Sequence, residues 1–386
     1  MKKESYKKAV MISILIMIVF PLIGSYFKWP NHLPPIFGVF PQTEVPPPVK
    51  PYFNLLYFLL GFAVCTLISA VYLFPRLFGF RPALIVSSTT PKSKFPHWFI
   101  PGVFLNLFCW LVMWNILPLT IIQPYVFTPM WWGFILALDG FVYKRNNGKS
   151  ILAHHPMSMV VLSIVSILGW LLFEYLDYFG VENWYYPNTD IYSQTMYVIA
   201  HLLSMTTVWP AVFEWYALLN TFGKLKVRYS DGPKIDFTPY GKILFFIGAA
   251  TLLGFGFFPF LFFFALWVGP LFVMIGISLW MKMWNPLAPV SQGNWSPFLL
   301  MGLAAFINGF FWEIWNYFST NRNPLFWAYS IPYVNIGIQI GEMPIMGFWG
   351  YFLFGVFCWY WWILITGFLG FESKIFSTAH SKFHVE

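Results

Sequence analysis

Ten apolar runs, each close to the roughly 20 residues that a helix needs to cross a bilayer, divide this 386-residue chain. Backbone N–H and C=O groups find no partners in hydrocarbon, so runs of that length satisfy them internally as helix. The runs are Ala9 to Phe27, Phe53 to Phe74, Trp98 to Leu117, Thr128 to Tyr143, Pro156 to Phe179, Ser193 to Phe222, Ile243 to Phe258, Phe260 to Met281, Trp295 to Phe318 and Gly337 to Leu369. The last holds a break or re-entrant piece around Gly341 to Pro344. The expected fold class is all-α, a polytopic integral membrane bundle. With 9% of residues charged, against about 25% in soluble domains, no other class fits.

Basic residues orient the bundle, because short loops rich in Lys and Arg stay on the cytoplasmic side. With the N-terminus inside, every Lys and Arg except Lys28, Lys50 and Arg322 falls in a cytoplasmic segment. Both termini are therefore expected in the cytoplasm, in a membrane of the bacterial inner-membrane kind. The net charge of +8 is spread over topology-setting loops, and no basic tract with interleaved aromatics offers a nucleic-acid surface. MKKESYKK before the first run reads as an uncleaved first helix, since no small-residue cleavage site precedes Lys28. Cys65, Cys109 and Cys358 stand alone within runs and are expected as core residues.

Six carboxylates, Asp139, Glu174, Asp177, Glu214, Glu313 and Glu342, lie inside or at the ends of runs that contain no Lys or Arg. An ionisable group in hydrocarbon costs a few kcal/mol or more, so it persists where it faces a protein interior, a watery cavity or a ligand. Asp139, near Lys144 and Arg145, is expected to be a topology or capping residue. Glu214 and Glu342 are solitary but deep.

The other three fall into a repeat. LFEYLDYF at Leu172 to Phe179 matches FWEIWNYF at Phe311 to Phe318, so Glu174 aligns with Glu313, Asp177 with Asn316, and Tyr178 with Tyr317, 139 positions apart. An aromatic loop follows each, with Trp184 in the first and Trp327 in the second, and then a helix with similar punctuation at Ser204 to Pro210 and Glu342 to Gly350. Four helices separate the copies, so both point the same way: a parallel duplication about an axis along the membrane normal. The division expected is 1–97, a two-helix extension carrying the proline-rich loop Trp29 to Tyr52, extended and external; 98–222, a first repeat; 223–371, a second; and 372–386, a cytoplasmic tail.

Three-residue spacing puts Glu174 with Asp177, and Glu313 with Asn316, on one helix face. A carboxylic acid kept neutral in an apolar site is a proton donor, and ring faces nearby stabilise positive charge where water is excluded. Glu174, Asp177, Glu313 and Glu342 are thus the candidate acids. Asn316, Glu214, His201, Trp184, Trp327, Tyr178 and Tyr317 are the candidates for lining a substrate site. No histidine or cysteine spacing suggests a metal, and no cofactor is indicated. Nucleotide, P-loop, nucleophile-elbow and HExxH motifs are missing from the sequence.

The stretch Tyr333 to Trp362, with Gly337-Ile338-Gln339-Ile340-Gly341 followed by Glu342 and Pro344, resembles a helix motif of the polytopic carotenoid (lycopene) cyclase domains. Those are small, duplicated membrane domains acting on a lipid-soluble polyene. The family carries paired glutamates after its proline, where this chain has Ile345 and Met346. The resemblance implies a lipid-soluble, isoprenoid-type substrate. Two other roles are compatible with the same acids: an ion- or proton-coupled transporter, and a non-catalytic subunit or scaffold of a larger membrane complex with partner chains.

Overall fold

A computed structural model describes residues 3–42, 53–81, 93–180, 183–319 and 322–371. Lys50, part of the proline-rich loop, and the tail from 372 lie outside the described residues. The chain is almost wholly helical: α1 (Lys3–Lys28), α2 (Leu55–Leu73), α3 (Phe99–Met113), α4 (Phe127–Arg145), α5 (Ile151–His154), α6 (Pro156–Asp177), α7 (Gln194–Met205), α8 (Val208–Asn220), α9 (Gly223–Arg228), α10 (Gly241–Phe257), α11 (Ala265–Trp280), α12 (Ser296–Tyr317) and α13 (Gly350–Leu369). Among the described residues seven helical stretches are long and apolar enough to cross a membrane, and α3 and α11 are shorter apolar helices. The molecule is an all-α bundle of membrane-protein type.

Local chemistry sets the helix ends. Asn54 and Ser193 cap α2 and α7, each side chain accepting the backbone N–H three residues on. The sixth apolar run is two helices instead of one. Pro210 has no N–H to return to the carbonyl four residues back, and its ring crowds that turn, so the chain breaks at Thr206–Thr207. Hydroxyls bond the carbonyls of this turn, two of which also accept main-chain N–H groups: Ser204 Oγ donates to the His201 oxygen at 2.8 Å, Thr206 Oγ1 to Leu203 at 2.6 Å and Thr207 Oγ1 to Ser204 at 2.6 Å.

Helix pairs approach closely where glycine removes the side chain, the means available in lipid, where apolar burial alone gives little drive. α1 crosses α10 at Gly24 and Gly256. A Cβ on Gly256 would stand 2.1 Å from the Pro21 oxygen, and one on Gly24 2.4 Å from the Leu253 oxygen. α3 pairs with α4, and α12 with α13. In contrast α2 buries no residue fully. It is held by Tyr72 Oη donating to the Leu299 oxygen at 2.6 Å and by Trp349 Nε1 donating to Ser69 Oγ at 2.8 Å.

The loops at one end of the bundle are knitted together. β1 (Trp184–Tyr185) pairs antiparallel with β2 (Ala328–Tyr329), Trp184 opposite Tyr329. The last apolar run begins with a hairpin, β3 (Gln339–Ile340) and β4 (Met343–Pro344), before α13, which is the form that its expected break takes. The proline-rich loop is not simply extended where it is described: Phe37 packs against Tyr178 and Phe179, and Gln42 is fully buried. Its aromatic and amide side chains find better partners on the bundle than in water.

Substituting Gly256→Val is expected to push α1 off α10 at a cost of about 1–3 kcal/mol or more. The check is thermal unfolding in detergent; a midpoint equal to that of the wild type would show the crossing to be loose.

Candidate functional site

Glu174 sits near the end of α6 and is buried. Its Oε1 accepts three ring donors: Tyr186 Oη at 2.5 Å, Trp170 Nε1 at 2.9 Å and Trp184 Nε1 at 3.3 Å. Trp170 is one turn earlier on the same helix, while Trp184 and Tyr186 come from the loop that follows. Oε2 is buried and has no hydrogen-bond partner among the described residues. Gln42 reaches down from the proline-rich loop to donate to the Glu174 backbone oxygen at 2.7 Å, and Tyr186 N donates back to the Gln42 oxygen at 2.8 Å.

Glu313 on α12 has the same kind of surroundings. Tyr351 Oη, from α13, and Tyr329 Oη, from β2, donate to its Oε1 at 2.6 and 2.8 Å, and Trp327 Nε1 donates to Tyr329 Oη at 2.9 Å. The turn of the β3–β4 hairpin rests against it: a Cβ on Gly341, whose φ is +62°, would meet the Glu313 backbone oxygen at 2.7 Å. That turn brings Glu342 close enough for its charge to be felt by Glu313. Burial, and then the neighbouring carboxylate, push the loop phenols of Tyr186 and Tyr329 well above their ordinary range, so both stay protonated donors.

The partners of the two glutamates wall one cavity. Trp170, Trp184, Tyr186 and His201 come from the first half, and Trp312, Trp327, Tyr329 and Tyr351 from the second. Trp131, Trp267 and Phe354 add further ring faces, and Ser204, Thr207 and Val208 line it from the break between α7 and α8. The cavity offers about 80 Å³ in which the centre of a water-sized molecule fits, well beyond the roughly 10–15 Å³ that one water needs. The carboxyl groups stand behind this wall: phenols and indoles face the space, and the acids face the phenols and indoles.

The other candidates have different places. Asp177 Oδ1 accepts the Asn183 backbone N–H at 2.8 Å. Asn316 Oδ1 accepts that of Trp327 at 3.1 Å, and its Nδ2 donates to the Trp327 oxygen at 2.7 Å. The aligned pair thus fastens the two aromatic loops to their helices. Tyr178 Oη donates to the Val39 oxygen at 2.6 Å, and Tyr317 is half exposed at the helix end; neither is in the cavity wall. Glu214 is fully buried on α8, its carboxyl facing that of Asp139 on α4. Asp139 accepts Trp98 Nε1 at 3.0 Å, Ser150 Oγ at 2.8 Å and Leu152 N at 3.0 Å, tying the start of α5 to α4. Sequence spacing gave no hint of this carboxyl pair, because 75 residues separate its members. Tyr351, Trp131 and Trp267 also escaped it, since each sits in an apolar run where one more aromatic carries no signal. Among the described residues no group of three His, Cys, Asp or Glu could hold a metal ion.

Compared with models of known protein families, with curated proteins and with solved structures, the chain matches none.

Replacing Asn316 by Leu is expected to leave a loop N–H and C=O unpaired, at about 1–3 kcal/mol each, and to speed limited proteolysis of the loop before β2; Asn316→Asp, which keeps the acceptor, should lose less. Equal proteolysis rates in wild type and Asn316→Leu would contradict the fastening role. Burial raises the Glu342 carboxyl above the ordinary glutamate range. Its contribution to stability is therefore complete below about pH 4 and is lost as pH rises through the raised native value. Glu342→Gln should flatten that part of the stability–pH curve, measured by thermal unfolding; an unaltered slope would show that Glu342 does not titrate differently on folding.

Proposed function

We propose that this protein is a membrane enzyme of acid–base chemistry on a lipid-soluble, unsaturated, isoprenoid-type substrate held in the aromatic cavity. The observation that carries the reading is the pair of ring-capped glutamates on one apolar space. Each has a tyrosine whose hydroxyl bonds the carboxylate and whose ring borders the cavity. In the base direction a substrate proton passes to the tyrosine oxygen while the tyrosine's own proton moves to the glutamate Oε1; the acid direction is the reverse. One glutamate adds a proton to a double bond and the other removes one elsewhere, a redox-neutral isomerisation or cyclisation. Between those events the positive charge lies among indole and phenol faces, which stabilise cations where water is excluded. The likeness of Tyr333 to Trp362 to the lycopene cyclase motif favours the same substrate class.

The architecture behind this reading is ten spans with both termini cytoplasmic and the β1–β2 end outward, adding α3, α4 and α11 to the seven long stretches. Parallel duplication supplies the second glutamate. In its support, α3 packs on α4 as α10 does on α11, α6 on α8 as α12 does on α13, and α8 meets α12 as α13 meets α6. Antiparallel β1–β2 pairing, with one strand from each half, is what a two-fold axis through that ladder would generate. A transporter reading has less support, since the carboxylate oxygens stand behind rings and none borders the cavity.

The test is incubation of purified protein in D₂O with isoprenoid polyenes, followed by mass spectrometry of the products and of any co-purified lipid. Deuterium should enter the polyene. Glu174→Gln or Glu313→Gln should reduce that exchange by about 10²-fold or more while the protein stays folded. Undiminished exchange in both variants, or glutamate-dependent, gradient-driven uptake in proteoliposomes without exchange, would refute the enzyme reading. Turnover seen only with a co-purified partner chain would support the scaffold role instead.

A further inference from the structure

The cavity wall is uneven, and its unevenness identifies the ligand more closely. Most of it is ring faces. Its polar groups outside the glutamate caps gather at the break between α7 and α8, where His201, Ser204 and Thr207 all border the space. The two hydroxyls have their protons engaged by backbone oxygens of α7. His201 differs: it is 2% exposed and borders the cavity, and its Nδ1 makes no well-aligned hydrogen bond among the described residues, although the Tyr197 backbone lies close to it. The ring is nonetheless firmly placed. Tyr197 stacks on it at 5.3 Å between centroids, and Tyr186 and Phe40 meet it edge-on at 4.4 and 5.1 Å.

A second polar group is left over. Trp131 borders the cavity and its Nε1, buried, has no acceptor among the described residues. Its ring packs on Trp312 and Trp315 of α12, at 5.8 and 4.8 Å between centroids, so it is a separate donor on the wall. Buried polar groups are nearly always paired, and each one left unmade costs about 1–3 kcal/mol. A buried imidazole on the cavity wall without a well-aligned hydrogen bond is best explained by a ligand atom that completes it.

We infer that the substrate is apolar except for one oxygen function, a hydroxyl or carbonyl, and that His201 seats that oxygen. This rests on the reading of the cavity as a site for a lipid-soluble substrate and deepens it. His201 touches Tyr186, the tyrosine that bonds Glu174. Seating the oxygen there sets the hydrocarbon part against the ring faces and its double bonds toward the two tyrosines. His201 is thus a specificity-determining residue: it chooses an oxygenated isoprenoid over the bare hydrocarbon and fixes which end enters first.

The experiment compares binding of geraniol, a ten-carbon alcohol, with that of myrcene, a ten-carbon hydrocarbon, to the purified full chain in detergent by tryptophan fluorescence. Wild type should bind geraniol roughly five- to tenfold more tightly, the weight of one neutral hydrogen bond. In His201→Leu the ratio should fall to about one, whereas His201→Gln, with both a donor and an acceptor, should retain most of it. No preference in wild type, or the same preference in His201→Leu, overturns the inference and leaves the acid–base reading standing. Binding of neither molecule overturns both. If His201→Leu fails to fold, the comparison rests on His201→Phe and His201→Gln, where a ratio kept in Phe and lost in Gln is equally fatal.

Discussion

Two carboxyl groups placed inside an apolar bundle, and the ring donors gathered around them, hold the working end of this protein together. A carboxyl in hydrocarbon is costly unless it is hydrogen-bonded, and here the donors are indoles and phenols instead of lysine or arginine. That choice fixes geometry. Trp184 and Tyr186 must fold back onto α6 to reach Glu174, and Tyr329 must do the same to α12 to reach Glu313. The loops are thereby drawn over the bundle, where β1 meets β2 and Gln42 closes the first site from above.

The cavity is a consequence of the same arrangement. The rings tied to the glutamates by their polar tips turn other surfaces to a shared space. Residues of the break at Thr206–Thr207 border it, and hydroxyls there bond the carbonyls of the same turn. Irregular backbone at membrane depth is tolerated where it borders a cavity or is buried in protein. On the second half the β3–β4 hairpin occupies the corresponding place, and only glycine fits at position 341 against the Glu313 backbone. The acids are shielded from the space by the groups that satisfy them.

Asp177 and Asn316 show how the work of two aligned positions can stay hidden in the sequence. Their alignment is plain in the sequence, and both accept a backbone N–H from the aromatic loop. An acid and an amide can each do that, because an N–H needs only an acceptor. The difference between Asp and Asn adds one bond to the fastening: the Asn316 amide also donates to the Trp327 oxygen, which an ionised Asp cannot do. Tyr178 and Tyr317 likewise share a register and diverge in setting, one bonded to Val39 and the other half exposed at the helix end.

Hydropathy alone determined the class of this protein, because run length against bilayer thickness and the near absence of charge leave only a helical membrane bundle. Sequence also singled out Glu174 and Glu313, since acids are rare in such runs and these two recur with their neighbours. Tertiary structure decided the rest: that their Oε1 atoms collect tyrosine and tryptophan donors from distant segments, that Glu214 faces Asp139, and that Trp131, Trp267 and Tyr351 join the cavity wall. Aromatic residues are so frequent in membrane helices that one more carries no information about direction. Which way a ring points depends on the crossing of helices far apart in the chain, and no local pattern encodes that.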